Sequence, residues 1–178
     1  MKLEYTLELD SLLTFQLYAA SQSSRIKKQR MLGWFLVALI SFSLVPIYLW
    51  LQFYIAAALL GAIGLFWIVL YPFYSRWRYR RHYRKHIQDG LKGMLNRRVS
   101  IELNDEIVME DESARTQIKL NHINSVVTIP DYALILMGTG QAISLPRRQL
   151  GESLDAFLQS LLTATGLEII NKPDWRWR

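Results

Sequence analysis

The chain has 178 residues, with 21 Lys and Arg against 15 Asp and Glu and no Cys. The missing Cys excludes a disulfide framework, a thiolate zinc site and a Cys nucleophile. The net charge of +6 is split: residues 25–98 hold 13 basic side chains against Asp89 alone, whereas residues 99–170 hold four against ten acids. Basic charge hugging an apolar run, with acidic charge distal to it, is a membrane-topology pattern rather than a nucleic-acid footprint, so no nucleic-acid partner is expected.

Lys2 to Leu9 alternate without a fault: Leu3, Tyr5, Leu7 and Leu9 on one side, Lys2, Glu4, Thr6 and Glu8 on the other. That is the pattern of a half-buried strand, which must pair with strands from later in the chain. Asp10 or Ser11 is expected to cap a helix of residues 11–30 that runs on into the next segment. Residues 1–30 thus form an N-terminal strand and helix.

From Met31 to Ser75 come 45 residues with no charged side chain. As helix this run would be about 67 Å long, roughly twice the ~30 Å hydrocarbon core of a bilayer. Two spans, about 31–50 and 54–74, with a turn near Leu49 to Phe53 around Gln52, account for it. The run starts too late and is too long for a cleavable signal. Pro46 is expected to kink or end the first span, and Gly61 and Gly64 to let the two helices approach closely. Arg25, Lys27, Lys28 and Arg30 precede the hairpin and Arg76, Arg78, Arg80, Arg81, Arg84 and Lys85 follow it, while the turn has no charge. The positive-inside bias then places both termini in the cytoplasm.

Residues 76–98 read as a basic juxtamembrane helix weakening near Gly90 or Gly93. Its apolar row is Tyr79, Tyr83, Ile87 and Leu91, and its expected packing partner is the helix of residues 11–30. From Val99 the period changes to two. Strands are expected at Val99–Leu103, Ile107–Glu112, Arg115–Leu120, Val126–Ile129, Tyr132–Met137 and Gln141–Leu145, with a short helical turn at Asn121–Asn124. An amphipathic helix at about Ser153–Thr165 ends at Gly166. The domain 99–170 is followed by a basic-aromatic tail, 171–178.

Six strands, a seventh from the N-terminus and a closing helix make the inventory of a pleckstrin-homology-like barrel. The stretch from about Val99 to Gly166 resembles the bacterial YcxB-like C-terminal domain. The resemblance is carried by Ile118-Lys119-Leu120-Asn121-His122-Ile123, by the hairpin Tyr132-Ala133-Leu134-Ile135-Leu136, by Ile143-Ser144-Leu145-Pro146-Arg147-Arg148 and by the last helix. It implies an α+β membrane protein: a two-helix transmembrane hairpin plus a small pleckstrin-homology-like barrel or sheet domain, with the N-terminal strand joining the sheet. It implies a bacterial inner-membrane location and carries no activity and no functional residue.

His82 and His86 have the i, i+4 spacing of metal ligands, but Lys and Arg surround them and no third ligand is near, so no metal is expected. Glu106, Glu110, Asp111 and Glu112 lack the Gly turn of a calcium loop and read as an edge-protecting face. Gly138-Thr139-Gly140 lacks the Lys and following helix of a phosphate loop and reads as a hairpin turn. Arg147 and Arg148, after Pro146, are the candidate partner-binding pair. Arg76, Arg78, Arg80, Arg81, Arg84 and Lys85 are the candidate headgroup and topology residues. No nucleophile motif or paired carboxylates point to catalysis, and nothing calls for a cofactor. The expected function is a non-enzymatic module at the inner face of the membrane, with membrane lipids and a protein or peptide as partners. The alternatives are a lipid-headgroup sensor, and an accessory subunit of a transport assembly that forms homo-oligomers through its spans.

Overall fold

The computed structural model describes residues 1–90 and 92–177, with the side chain of Met94 left aside. Leu91, the last member of the expected apolar row, and Arg178, the end of the tail, lie outside the described residues. The chain divides into two compact units, Met1–Gln16 with Arg84–Arg176, and Leu17–Tyr83 with Trp177–Arg178.

The first unit is α+β, built from two four-stranded sheets. One has the order β1 (Lys2–Thr6), β2 (Arg98–Leu103), β3 (Glu106–Asp111), β4 (Arg115–Lys119), antiparallel throughout. The N-terminal strand joins as the alternation requires: Leu3 lies opposite Ile101 and Tyr5 opposite Val99. The second sheet has the order β7 (Ala142–Pro146), β6 (Tyr132–Met137), β5 (Ile123–Ile129), β8 (Ile169–Asn171). β8 runs parallel to β5 and is a strand the periodicity does not announce, three exposed residues after the last helix.

The expected single barrel is corrected: the strands form two sheets, with no closed barrel among the described residues. The break falls at the 3-10 turn Leu120–His122, which carries the chain from β4 into β5. Both sheets nevertheless feed one core with helix α5 (Glu152–Thr165), in which Ile101, Ile107, Ile135, Leu145, Leu154 and Phe157 are fully buried. Val127 and Leu134, off that core, are also buried, so the second sheet is covered on both faces. That explains why β5 and β6 read as continuous apolar runs rather than alternating ones. Helix α1 (Leu9–Gln22) touches this sheet where the Ser144 hydroxyl donates to the Ser11 carbonyl at 3.3 Å. α5 ends at Gly166, whose φ of 69° is the left-handed cap expected there, with its N–H on the Leu162 carbonyl at 2.8 Å.

One edge is closed by a side chain. Gln149 in the short helix α4 (Arg147–Leu150) accepts from the Thr6 N–H at 2.8 Å and donates to the Thr6 carbonyl at 3.2 Å. The amide thereby imitates one rung of a neighbouring strand along β1, meeting edge groups that would otherwise be left open.

The second unit holds α2 (Ser24–Trp50) and, as far as Tyr83, α3 (Tyr54–Gly90), the two longest helices. Both are long and apolar enough to cross a membrane, and only 11% of the most apolar window of each is buried. The turn between them is Leu51–Phe53, with Gln52 at φ 61°, inside the expected window. Two expectations need correction. Helix 11–30 is not continuous: Ser23, extended at φ −69° and ψ 117°, separates α1 from α2 and accepts from the Ile26 N–H at 3.4 Å. Its hydroxyl competes with the helix for backbone donors, as an N-cap does. Asp10 and Ser11 lie inside the first turn of α1, which starts at Leu9.

The two helices are locked by reciprocal bonds. The Trp34 indole donates to the Ile68 carbonyl at 3.1 Å, and the Trp67 indole donates to the Gly33 carbonyl at 3.2 Å. Gly64 supplies close approach, since a Cβ there would lie 3.1 Å from the Phe42 ring and 3.2 Å from Ser41. Gly61 does not, its nearest neighbour being Val45 at 4.0 Å. Pro46 and Pro72 are both carried inside their helices, so Pro46 does not end the first one.

Candidate functional site

The β5–β6 turn, α4, α5 and β8 bound an open cleft of about 590 Å³ in the first unit. Its wall includes Thr128, Arg147, Asp155, Leu158, Gln159 and Asn171. Arg147 is placed by the end of β7: Pro146 fixes an extended entry, and the Arg147 N–H donates to the Asp131 carbonyl at 3.0 Å. Its guanidinium meets the Asp155 carboxylate from α5 at 3.1 Å and 3.2 Å. The pair is 40% and 57% exposed, so it is worth at most about 1 kcal/mol to the fold. A ligand carboxylate can therefore exchange with Asp155 at little cost, which is what an anion-reading arginine needs.

The opposite wall is held by β8. Thr128 donates to the Asn171 side-chain oxygen at 3.0 Å, and the Lys172 N–H donates to the Thr128 carbonyl at 2.8 Å. Ile169 lines the cleft and is 38% exposed, giving it an apolar lip. β8 is the edge of its sheet.

Arg147 and Arg148 do not act as one patch. Arg148 is exposed on α4 and does not line the cleft. Asp155, Asn171 and Thr128 carry no motif. The only sequence signal for their wall is the Ile169–Ile170 pair after Gly166, too short to read as a strand.

The basic residues on α3 fall into three settings. In the second unit Arg76 lies 5.7 Å from the Phe73 ring centre with its Nε buried and unpartnered, and Arg81 lies 5.2 Å from Trp77. Arg78 and Arg80 are exposed. In the first unit Arg84 sits 3.7 Å from Asp10 of α1, and Lys85 is exposed. The expected apolar row is partly realised: Ile87 is fully buried and Tyr79 and Tyr83 are half-buried. Arg30 near the start of α2 donates to the Ser75 hydroxyl at 3.0 Å, with its guanidinium 6.0 Å from the Tyr79 ring centre. The tail contributes to this cluster. The Trp177 indole donates to the Arg76 carbonyl at 3.3 Å and lies 5.0 Å from the Arg30 guanidinium.

The edge-protecting reading of the acidic group is corrected: Glu106, Glu110 and Asp111 lie on β3, an inner strand between β2 and β4, and Asp111 holds the turn that follows. Asp111 Oδ1 accepts from the Ser113 N–H at 2.7 Å, the Ser113 hydroxyl at 2.8 Å and the Ala114 N–H at 2.7 Å. These bonds, the Ser113 N–H first, hold the Asp111 carboxyl below its ordinary pKa. Among the described residues no three His, Cys, Asp or Glu side chains gather as a metal cluster.

No curated protein matches the chain, and no solved structure does. The segment 103–161, which runs from the end of β2 into α5 and carries Arg147 and Asp155, matches the family model described as YcxB-like protein, so this part of the chain is a YcxB-like domain.

Proposed function

We infer that the chain is a membrane-anchored, non-enzymatic module whose acidic domain binds a protein or peptide at the cytoplasmic face of the bacterial inner membrane. α2 and α3 cross the bilayer as a hairpin. The Lys and Arg that flank the hairpin, against an uncharged turn at Gln52, favour both termini inside. A pleckstrin-homology-like ancestry of the domain is supported by two antiparallel-rich sheets and a following helix sharing one core.

The observation that carries the reading is the cleft beside β8. It combines an exchangeable guanidinium at Arg147, an amide at Asn171, an apolar lip at Ile169 and a sheet edge. An extended segment can add along such an edge while its acidic side chain or carboxyl terminus meets the arginine. A lipid headgroup suits the cleft less well, because residues 99–170 hold four basic side chains against ten acids and an anionic surface repels them.

Photo-crosslinking tests it. A photoreactive side chain at Gln159, on the cleft, is compared with one at Gln117, exposed on β4, in the full chain in membranes. A discrete protein adduct from Gln159 that Arg147→Glu abolishes is expected. Equal adducts from both positions, or indifference to Arg147→Glu, refute the cleft as the binding site.

A further inference from the structure

Between Asp10 and Asp89 the chain has no carboxylate side chain, so residues 17–83 of the helical unit hold eight Lys and Arg and no Asp or Glu. Arg30, Arg76 and Arg81 are accommodated by ring faces or a hydroxyl. Arg25 and Lys28 are exposed and, among the described residues, make no ion pair within 4.0 Å. They stand near one end of an open groove of about 560 Å³ on α2, whose lining continues through Met31, Leu32 and Phe35. Steps of three, four and three residues put Arg25, Lys28, Leu32 and Phe35 on one row of the helix, and Leu39 extends it. Met31, Leu32, Phe35 and Leu39 are 57%, 64%, 58% and 66% exposed. From Lys28 to Phe35 the row passes from cation to hydrocarbon within about 10 Å of helix axis.

We propose that this groove is a binding site for one anionic glycerophospholipid. Its phosphate lies against Arg25 and Lys28 and an acyl chain runs along Leu32, Phe35 and Leu39. The inference rests on the membrane-anchored reading above and adds a defined lipid site to it, on a helix and on residues separate from the basic run of α3. Charge selects the occupant. The helical unit offers cations with no carboxylate side chain of its own, so the counter-charge comes from outside. A second copy packed here by its helical unit would bring only more cations. A free phosphate would satisfy the polar end and leave the apolar row bare. A phospholipid matches both ends in the order in which the row presents them.

Native mass spectrometry of the full chain in mild detergent tests the site, with phosphatidylglycerol, phosphatidylcholine and inorganic phosphate as probes. One retained phosphatidylglycerol is expected, with retention about thirtyfold weaker in Arg25→Gln/Lys28→Gln. Lys28→Arg and the control Arg115→Gln/Lys119→Gln, at two exposed cations on β4, retain it. Leu32→Ser/Phe35→Ser also weakens retention, with far-UV circular dichroism unchanged. Equal retention in the Arg25/Lys28 double variant overturns the site, as does equal retention of phosphatidylcholine. Competition by inorganic phosphate at the same strength makes it a simple anion site, and a dimer mass in place of bound lipid makes the occupant a second copy; either overturns the proposal. Alkaline extraction of cell membranes separates the two readings. Release of the parent chain refutes the anchor and the lipid groove together, whereas a chain that stays in the membrane while the variants bind like the parent refutes the groove alone.

Discussion

Truncating Leu3 to Ala should loosen β2, some 98 residues away in the chain, more than it affects anything next to it in sequence. Leu3 and Tyr5 are each 5% exposed, and both belong to the core shared with Ile101 and α5. Removing a buried Leu side chain costs about 3 kcal/mol, through lost transfer energy and an unfilled cavity. Tyr5→Ala costs about 4 kcal/mol on the same grounds. Lys2 points the other way and pairs with Glu4 at 2.8 Å on the exposed face, so Lys2→Ala leaves stability nearly unchanged. Hydrogen exchange of the full chain in detergent reads the difference locally. Amides of Arg98–Leu103 that open with the first sheet should exchange about 100-fold faster in Leu3→Ala and be unchanged in Lys2→Ala. Indistinguishable exchange in the two variants would refute β1 as a working member of the core.

Gly64→Val should force α2 and α3 apart at Phe42 and Ser41, lowering the melting temperature of the detergent-solubilised chain through an overpacking cost of about 1–3 kcal/mol. Gly61→Ala, whose new Cβ meets nothing closer than Val45 at 4.0 Å, should leave it unchanged. The Asp111 carboxyl is held below its ordinary value of 3.8, so its turn bonds contribute fully above that pH and are lost as pH falls through the depressed folded value. Asp111→Asn should therefore flatten the acid limb of the thermal-stability profile below about pH 4, and an unaltered limb would assign it to other carboxylates. Single Cys labels at Asp10, Gln52 and Ile170 should be reached from outside the cell only at Gln52. Outside labelling of either of the others would reverse the orientation.

Features governed by local chemistry were legible in the chain. The charge-free run and its turn, the alternation of Lys2 to Leu9, and the β5–β6 hairpin follow from hydropathy and period alone. Features set by long-range partners were not. Ile169–Asn171 becomes a strand only because β5 offers a parallel edge, and three residues carry no period. The split into two sheets depends on one 3-10 turn at Leu120–His122, which the pattern announces as a turn without saying that pairing stops there. Gly33 gave no warning of its role, since a backbone carbonyl accepting from Trp67 leaves no mark in composition. At the cleft, Arg147 stood out because Pro146 precedes it, but Asp155 and Asn171 come from elements that only the fold brings together.

The pairing of β1 with β2 also sets a clock on synthesis. A ribosome adding about 5–20 residues per second needs roughly 5–20 s to travel from the end of β1 at Thr6 to Arg98, where β2 begins. Throughout that interval the Leu3 and Tyr5 face has no partner, and the apolar hairpin is the segment emerging meanwhile. The acidic domain therefore cannot close its core until the hairpin has been made, so slow handling of α2 and α3 delays folding of a domain to which they contribute no strand. Nascent chains stalled before Arg98 should be unusually dependent on chaperones that hold short apolar strands.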